Sequence, residues 1–588
     1  MRIPRPSPPV RRLRLVFALL LAVALAPAQA QTPAEPEAAT GRETKALVNA
    51  KNQMVVAAHP LAAEAGLEIL RGKGSAVDAA IAAQLVLNLV EPQSSGLGGG
   101  AFLLHWNASA KSLTSYDGRE TAPKAAKPDR FLPAPATRGE WRRILASGRA
   151  VGVPGLVAML AQAHAAHGRL PWAALFAPAI RLAESGFSVG KRLNALLAGA
   201  GAERFNADAR AYFFDSKGTP RPVGYMLKNP AFAATLKEIA NKGRHAFYSG
   251  AIAREIVETV NGAPGSPGDM TLADLGRYEA KERPPICAPY RAWRVCGMGP
   301  PSSGGLTVAQ ALMLLEGFEL ARERLSPRAL HLIGEAQALA YADRGRYLAD
   351  PDFVSVPPGL LDKGYMARRR SLIRPDRANG KVAPGTPPGM GETPAGQGAS
   401  TERPGTSHLS IIDARGNAVA MTSTIESAFG SGLMVAGFLL NNELTDFSFQ
   451  PTDTQGRAIA NRVEGGKRPL SSMAPTIVFD QSGAVRMVAG SPGGTRIILY
   501  VVKSLIAHLD WGLDAQGSAA LINFGSRNRG TYELEATPLA PGIARGLQAL
   551  GHTVKLSPMT SGTHIIVKRR YGLEGGIDPR REGAAFGD

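Results

Sequence analysis

Residues 406–430 read TSHLSIIDARGNAVAMTSTIESAFG, and two runs inside this stretch decide the fold. Thr406–Ile412 and Ala418–Ile425 alternate apolar and small polar side chains and are rich in β-branched residues, which predicts two strands. Between them lies Asp413-Ala414-Arg415-Gly416-Asn417. A three-residue loop with glycine last is a recognised hairpin connection. Pairing Asp413 with Asn417 sets a register in which Thr406 faces Thr424, to within a one-residue bulge. The open end of the hairpin therefore brings two threonine hydroxyls together. Alone, two threonines on a hairpin express only β-propensity, so their surroundings have to decide what they do.

Immediately upstream, Arg374–Gly405 includes ANGKVAPGTPPGMGETPAGQGASTERPG. Its density of Gly, Pro and Ser predicts an exposed flexible loop that ends at Gly405. Further back, Pro60–Leu89, Gly155–Gly168, Pro171–Ser185, Leu306–Glu319 and Pro327–Leu348 read as helices, and Ala101–Trp106 reads as a strand. The apolar TRIILYVVKSLIAHL after Gly493-Gly494 reads as one more helix.

At the N-terminus, Arg2, Arg5, Arg11, Arg12 and Arg14 precede the apolar run Leu15–Ala26, and Ala28-Gln29-Ala30 offers a small-x-small cleavage site. This predicts a signal peptide over residues 1–30, too short to span a bilayer. A polar, disordered lead-in is expected over 31–44. The mature chain is then periplasmic or secreted and has no transmembrane anchor. The 588 residues are 45% hydrophobic and 20% charged, which excludes a disordered, collagen-like or disulfide-dense chain. The net charge of +19 falls to about +14 without the leader, and the excess is spread along the chain. That pattern fits a solvated surface, not a nucleic-acid partner.

The two cysteines, Cys287 and Cys296, sit in ICAPYRAWRVCGM. Folding back around Arg291-Ala292 makes them a candidate disulfide, with two buried thiols as the alternative. They lack the companions a tetrahedral metal site needs, and no metal site is expected. Other motifs fail on context. Gly96-Leu97-Gly98-Gly99-Gly100-Ala101 resembles a dinucleotide fingerprint but runs into a strand instead of opening a helix. The Gly-x-Ser-x-Gly elbow around Gly430 and Gly432 is incomplete. His164 and His167 have no acidic or histidine partner nearby in sequence and read as a surface pair.

The 406–430 stretch resembles the small-subunit start of the gamma-glutamyltranspeptidase family, N-terminal-nucleophile hydrolases that cleave themselves before a threonine. The match runs through Thr406-Ser407-His408, Gly416-Asn417, Thr422-x-Thr424-Ile425-Glu426 and Phe429-Gly430. Further blocks follow in the family's order: Asn441–Phe447 (NNELTDF), Lys467–Met473 (KRPLSSM) and Gly490–Gly494 (GSPGG). Upstream, Gly98-Gly99-Gly100, Asp117–Glu120 (DGRE) and Pro300–Gly305 (PPSSGG) look like its large-subunit blocks. The resemblance implies an α/β (α+β) fold, a four-layer αββα sandwich, self-cleaved between Gly405 and Thr406. Residues 45–405 would form the large subunit and 406–588 the small, nucleophile-bearing one, the two remaining associated.

By the same resemblance Thr406 is the nucleophile, Thr424 orients its hydroxyl, and Gly493 and Gly494 stabilise the oxyanion. Arg119, Ser471 and Ser472 would bind a substrate carboxylate, and Glu426, Glu443 and Asp446 its ammonium. The chemistry is sound in its own terms. A threonine hydroxyl needs a base, and a free α-amine titrating at about 7.7–8.0 serves. Arginine's planar fork suits a carboxylate. Converging carboxylates, costly to bury, call for a cation. This favours a γ-glutamyl head, in glutathione or a related donor, with transfer to water, an amino acid or a dipeptide. No cofactor is implied. The alternatives are a glutaryl or cephalosporin acylase on the same fold and a non-catalytic envelope binding protein.

Overall fold

The computed structural model describes residues 41–391, 395–398, 402–403 and 405–588, with Met1 and Ala39 besides. The expected leader falls outside the described residues apart from Met1, as does most of the lead-in.

The strands of two large sheets, labelled in chain order, are β1 (Val48–Ala50), β2 (Met54–Ala57), β3 (Gly100–Asn107), β4 (Ser112–Gly118), β5 (Lys281–Arg283), β6 (Ile286–Tyr290), β7 (Trp293–Gly297), β8 (Thr406–Ile412), β9 (Ala418–Thr424), β10 (Thr476–Phe479), β11 (Val485–Gly490), β12 (His564–Arg569), β13 (Gly572–Ile577) and β14 (Ala584–Gly587). One seven-stranded antiparallel sheet has the order β14-β2-β8-β9-β3-β4-β5, and the other β1-β13-β12-β11-β10-β7-β6. The hairpin β8–β9 lies at the middle of the first.

Strand alternation explains why the sheets stack. On β8, Leu409 and Ile411 pack into the helical layer formed by Pro60–Arg71, Ala76–Val90 and Leu156–His167. Ile412 points the other way, into an apolar layer shared with Ile477, Val488 and Ile566 of the second sheet. On β9, Val419 and Met421 face the helices, and Ala418 and Ala420 face the second sheet. That sheet is covered on its outer side by the helices Gly304–Leu315, Pro327–Tyr347 and Ile497–Leu509. The result is helix, sheet, sheet, helix, with both faces of each central strand buried. Thr406 and Thr424 share the parity of the inter-sheet face.

Three sequence readings change in detail. The helix expected over Pro60–Leu89 is two helices, Pro60–Arg71 and Ala76–Val90. Gly72-Lys73-Gly74 turns the chain, with Lys73 at φ +66°, and Ser75 starts the second helix in a reciprocal capping box with Asp78. The Pro171–Ser185 helix opens as a 3-10 turn over Trp172–Phe176. The described parts of 374–405 contain no helix or strand of their own, yet they are not a free loop. Gly385 N–H donates to Asp343 at 2.9 Å and Val382 N–H to Asn528 at 2.8 Å.

Cys287 faces Cys296 across the β6–β7 hairpin and the two sulfurs are bonded. Nor are the histidines a surface pair: His167 stacks on His105 at 3.8 Å, and His164 bonds the Leu170 carbonyl at 2.9 Å. Among the described residues no helix is long and apolar enough to cross a membrane.

Candidate active site

The hairpin closes in the register its sequence predicts, with Thr406 opposite Thr424 and no bulge between. The Thr424 hydroxyl donates to the Gly405 carbonyl oxygen at 2.9 Å and accepts from the Glu426 N–H at 2.8 Å. Its proton is thereby directed at the peptide bond preceding Thr406. Gly405 has a steric reason to be glycine, since a Cβ there would lie 2.0 Å from the Glu426 carbonyl oxygen.

Gly493 and Gly494 have φ of +143° and +56°, conformations that favour glycine. They lead through a short 3-10 turn into the helix Ile497–Leu509. A Cβ on Gly494 would sit 2.8 Å from the carbonyl carbon of Arg403, so this turn packs directly against the chain that precedes Thr406.

Arg119 follows β4 and is fully buried. Its backbone N–H is held by Asp117 at 2.9 Å. Its guanidinium donates to the carbonyls of Pro469 (3.1 Å) and Leu470 (2.9 Å), to Asp446 (2.6 Å) and to Glu443. The acids expected to face Arg119 across the pocket are therefore its direct partners, because buried charges pair with whatever opposite charge is available. Burial opposes the charge on Arg119, but Glu443, Asp446 and Glu120 together push its pKa up. Burial also drives Glu443 and Asp446 well above the ordinary carboxylate range despite Arg119. Glu426 is raised to about 7 by burial, against the pull of Arg403.

The sequence blocks around these acids do positioning work. Asn441 donates to the carbonyls of Gly98 and Gly152 and accepts from the Glu443 N–H, which ties the Glu443–Asp446 turn to the segments around Gly98 and Gly152. Gly98 belongs to this contact and not to a nucleotide site, since a Cβ there would meet the Leu439 carbonyl at 2.1 Å. Ser302 and Ser303 hold the paired serines: Ser303 N–H donates to the Ser471 carbonyl at 2.7 Å, and Ser302 Oγ to that of Met473 at 2.5 Å.

Sequence reading missed Arg344, Glu402, Arg403 and Glu120. Arg344, on the Pro327–Tyr347 helix, donates to Ser303 Oγ (2.7 Å), Ser472 Oγ (2.8 Å) and Glu402. Arg403 N–H donates to Glu426 at 3.1 Å. Glu120 directly follows Arg119, and Glu402-Arg403 lie within four residues of Thr406, but their pairing with Arg344 and Glu426 comes only from the fold. Thr406, Thr424, Arg119, Glu426, Glu443 and Asp446 line one cavity, joined by Ser471, Gly494, Glu402 and Arg403. With residues 402–403 in place its volume is about 10 Å³, barely enough for one water. Gly493 and Ser472 flank it through their neighbours. A larger surface groove of about 690 Å³, lined by Glu64, Glu68, Arg181 and Glu184 among others, contains none of these groups.

A threonine that begins a central strand of one of two stacked antiparallel sheets, between helical layers, defines the class of N-terminal-nucleophile hydrolases. The gamma-glutamyltranspeptidase family model matches residues 62–588. The chain is 35% identical to the glutathione hydrolase proenzyme of Bacillus subtilis strain 168, covering 98% of each. It is also 35% identical to the proenzyme of that name from Escherichia coli K12, covering 96% of this chain and 97% of that one. A cephalosporin acylase crystal structure from Bacillus halodurans matches with a TM-score of 0.80 at 28% identity, covering 96% of this chain and 99% of that one. The chain belongs to the gamma-glutamyltranspeptidase family and is an enzyme.

Proposed function

We propose that the chain is a precursor that cleaves itself between Gly405 and Thr406, and that the freed Thr406 then cleaves γ-glutamyl amide bonds in glutathione and related compounds. In the first reaction Thr406 Oγ attacks the Gly405 carbonyl carbon, with Thr424 polarising the carbonyl oxygen. The peptide C–N bond breaks and the acyl group moves to Oγ as an ester. Water hydrolyses that ester, leaving a Gly405 carboxylate and a Thr406 α-amine. In turnover the amine takes the Oγ proton as Oγ attacks the γ-carbonyl. The N–H groups of Gly493 and Gly494 receive the oxyanion, the leaving amine departs protonated, and water or an amino acid or dipeptide accepts the γ-glutamyl group.

The charge balance of the pocket carries the substrate reading. Residues 402–403 fill the site before cleavage, and Arg403 is the leading cation acting on Glu426. Once that segment withdraws, taking Glu402 with Arg403, the acids Glu120, Glu426, Glu443 and Asp446 remain with Arg119, Arg344 and the buried Arg204, and Glu426 has lost its leading cation. A ligand ammonium restores the balance, and its carboxylate competes for Arg119 beside Ser471 and Ser472. The leader and the bonded cysteines favour a periplasmic or secreted location.

The likeness to a cephalosporin acylase keeps a glutaryl substrate as the second reading. Hydrolysis of γ-glutamyl-p-nitroanilide and glutaryl-p-nitroanilide separates them. A kcat/KM at least tenfold higher for the γ-glutamyl compound is expected, and a glutaryl preference overturns the assignment.

A further inference from the structure

Away from the reacting groups, two histidines and a glutamate converge. His331 and Glu335 are four residues apart on the Pro327–Tyr347 helix and so share a face. His552 follows the helix Ala540–Ala549 in the C-terminal part of the chain. Each offers a ligand atom, and the three atoms lie within 4.8 Å of one another. None of the three lines the cavity around Thr406.

The tautomer of His331 is set by its surroundings. Its Nε2 lies 2.7 Å from the Arg374 carbonyl oxygen. A carbonyl only accepts, so Nε2 carries the proton and Nδ1 presents a bare lone pair. That lone pair accepts from His552 Nε2–H at 2.7 Å, and a bound ion would take the place of this proton, His552 then carrying its proton on Nδ1. A backbone carbonyl behind one ring nitrogen, with the other nitrogen turned toward a second imidazole and a carboxylate, is how metal-binding histidines are held. Glu335 is oriented in the same way by Asn379, whose backbone N–H and side-chain amide both donate to it. His331 and Glu335 are buried and His552 is half-buried, which leaves an approach from solvent.

We propose that His331, Glu335 and His552 form a three-ligand binding site for a divalent zinc-class ion. Two imidazoles and one carboxylate suit Zn²⁺, with water completing a tetrahedron. Metal–nitrogen bonds of about 2.0–2.1 Å require the two ring nitrogens to move apart to about 3.3 Å, a small rotation for the half-buried His552. If the chain is cleaved at Gly405, as proposed above, His331, Glu335 and the 374–379 segment belong to one fragment and His552 to the other. The ion then staples the fragments together beside the Ala378 N–H to Leu550 carbonyl bond of 2.7 Å.

The test uses the full-length protein stripped with chelator, titrated with Zn²⁺ by calorimetry and with Co²⁺ by visible absorption, alongside His552→Gln and His331→Gln. Both the wild type and an uncleavable Thr406→Ala chain are measured, so failure of cleavage and failure of the site are read separately. The expected result is one Zn²⁺ per chain at micromolar affinity or tighter, tetrahedral Co²⁺ bands, a higher Tm with Zn²⁺, and unchanged γ-glutamyl hydrolysis. His552→Gln should keep its fold and cleavage but lose the stoichiometric ion. Zn²⁺ binding that is equal in wild type and His552→Gln, or absent from a folded wild type, overturns the site.

Discussion

Thr424 donates its hydroxyl to the carbonyl oxygen of Gly405 at 2.9 Å, from the strand position directly opposite Thr406. One side chain thus touches the bond proposed to break and stands beside the group proposed to attack it. Thr424→Ala removes that donor, at a cost of about 1.5–3 kcal/mol. Self-cleavage should slow by about 10- to 100-fold, whereas Thr424→Ser should stay within a few-fold of wild type. The uncut fraction on a denaturing gel over time reads both.

Gly494 is constrained twice, by its φ of +56° and by the Arg403 backbone 2.8 Å from where a Cβ would sit. Gly494→Ala adds left-handed strain of about 1–2 kcal/mol and pushes the preceding segment out of place. Uncut precursor should accumulate, with cleavage more than tenfold slower. Cleavage at the wild-type rate would show that this turn does not support the bond.

Glu426 bears on the pH dependence of donor binding. Burial raises its carboxyl to about 7 against the pull of Arg403; if that burial persists once Arg403 leaves, the carboxylate holds an ammonium increasingly well as pH rises through that region. KM for a γ-glutamyl anilide should fall as pH rises from 6 to 8. In Glu426→Gln that inflection should vanish and KM should be higher throughout.

Glu120 concerns stability. It is fully buried, neither carboxylate oxygen has a hydrogen-bond partner, and burial lifts its pKa to about 8 against the pull of Arg119. A carboxyl raised above its unfolded value stabilises the fold fully below about pH 4.5, and this stability is lost as pH rises through about 8. Glu120→Gln, which never ionises, should therefore gain Tm relative to wild type at pH 8.5 and not at pH 5. Parallel melting curves at the two pH values decide the matter.

Much of this was legible in the chain because local rules govern it. Alternation on Thr406–Ile412 and Ala418–Thr424, with Gly416 in the turn, specifies the hairpin and its register. Gly493-Gly494 ahead of an apolar run marks the turn into a helix. The Pro60–Leu89 pattern hid a break at Gly72–Gly74, since apolar periodicity continues through a turn when both helices pack on the same core. Long-range electrostatics were not legible. That Arg119 pairs with Glu443 and Asp446, and that Arg344 reaches Glu402 and Ser472, depends on segments more than fifty residues apart. The Gly- and Pro-rich composition before Thr406 predicts an exposed loop, whereas Glu402 and Arg403 sit in the pocket because charged partners wait for them there.

The most direct test is the denatured intact mass of the purified protein after incubation near neutral pH, beside Thr406→Ala. Wild type should resolve into two fragments, one with the mass of Thr406–Asp588, and Thr406→Ala should remain a single inactive chain. A folded wild type that stays uncut yet hydrolyses γ-glutamyl-p-nitroanilide, or a Thr406→Ala chain cut at the same bond, would contradict Thr406 as the self-generated nucleophile.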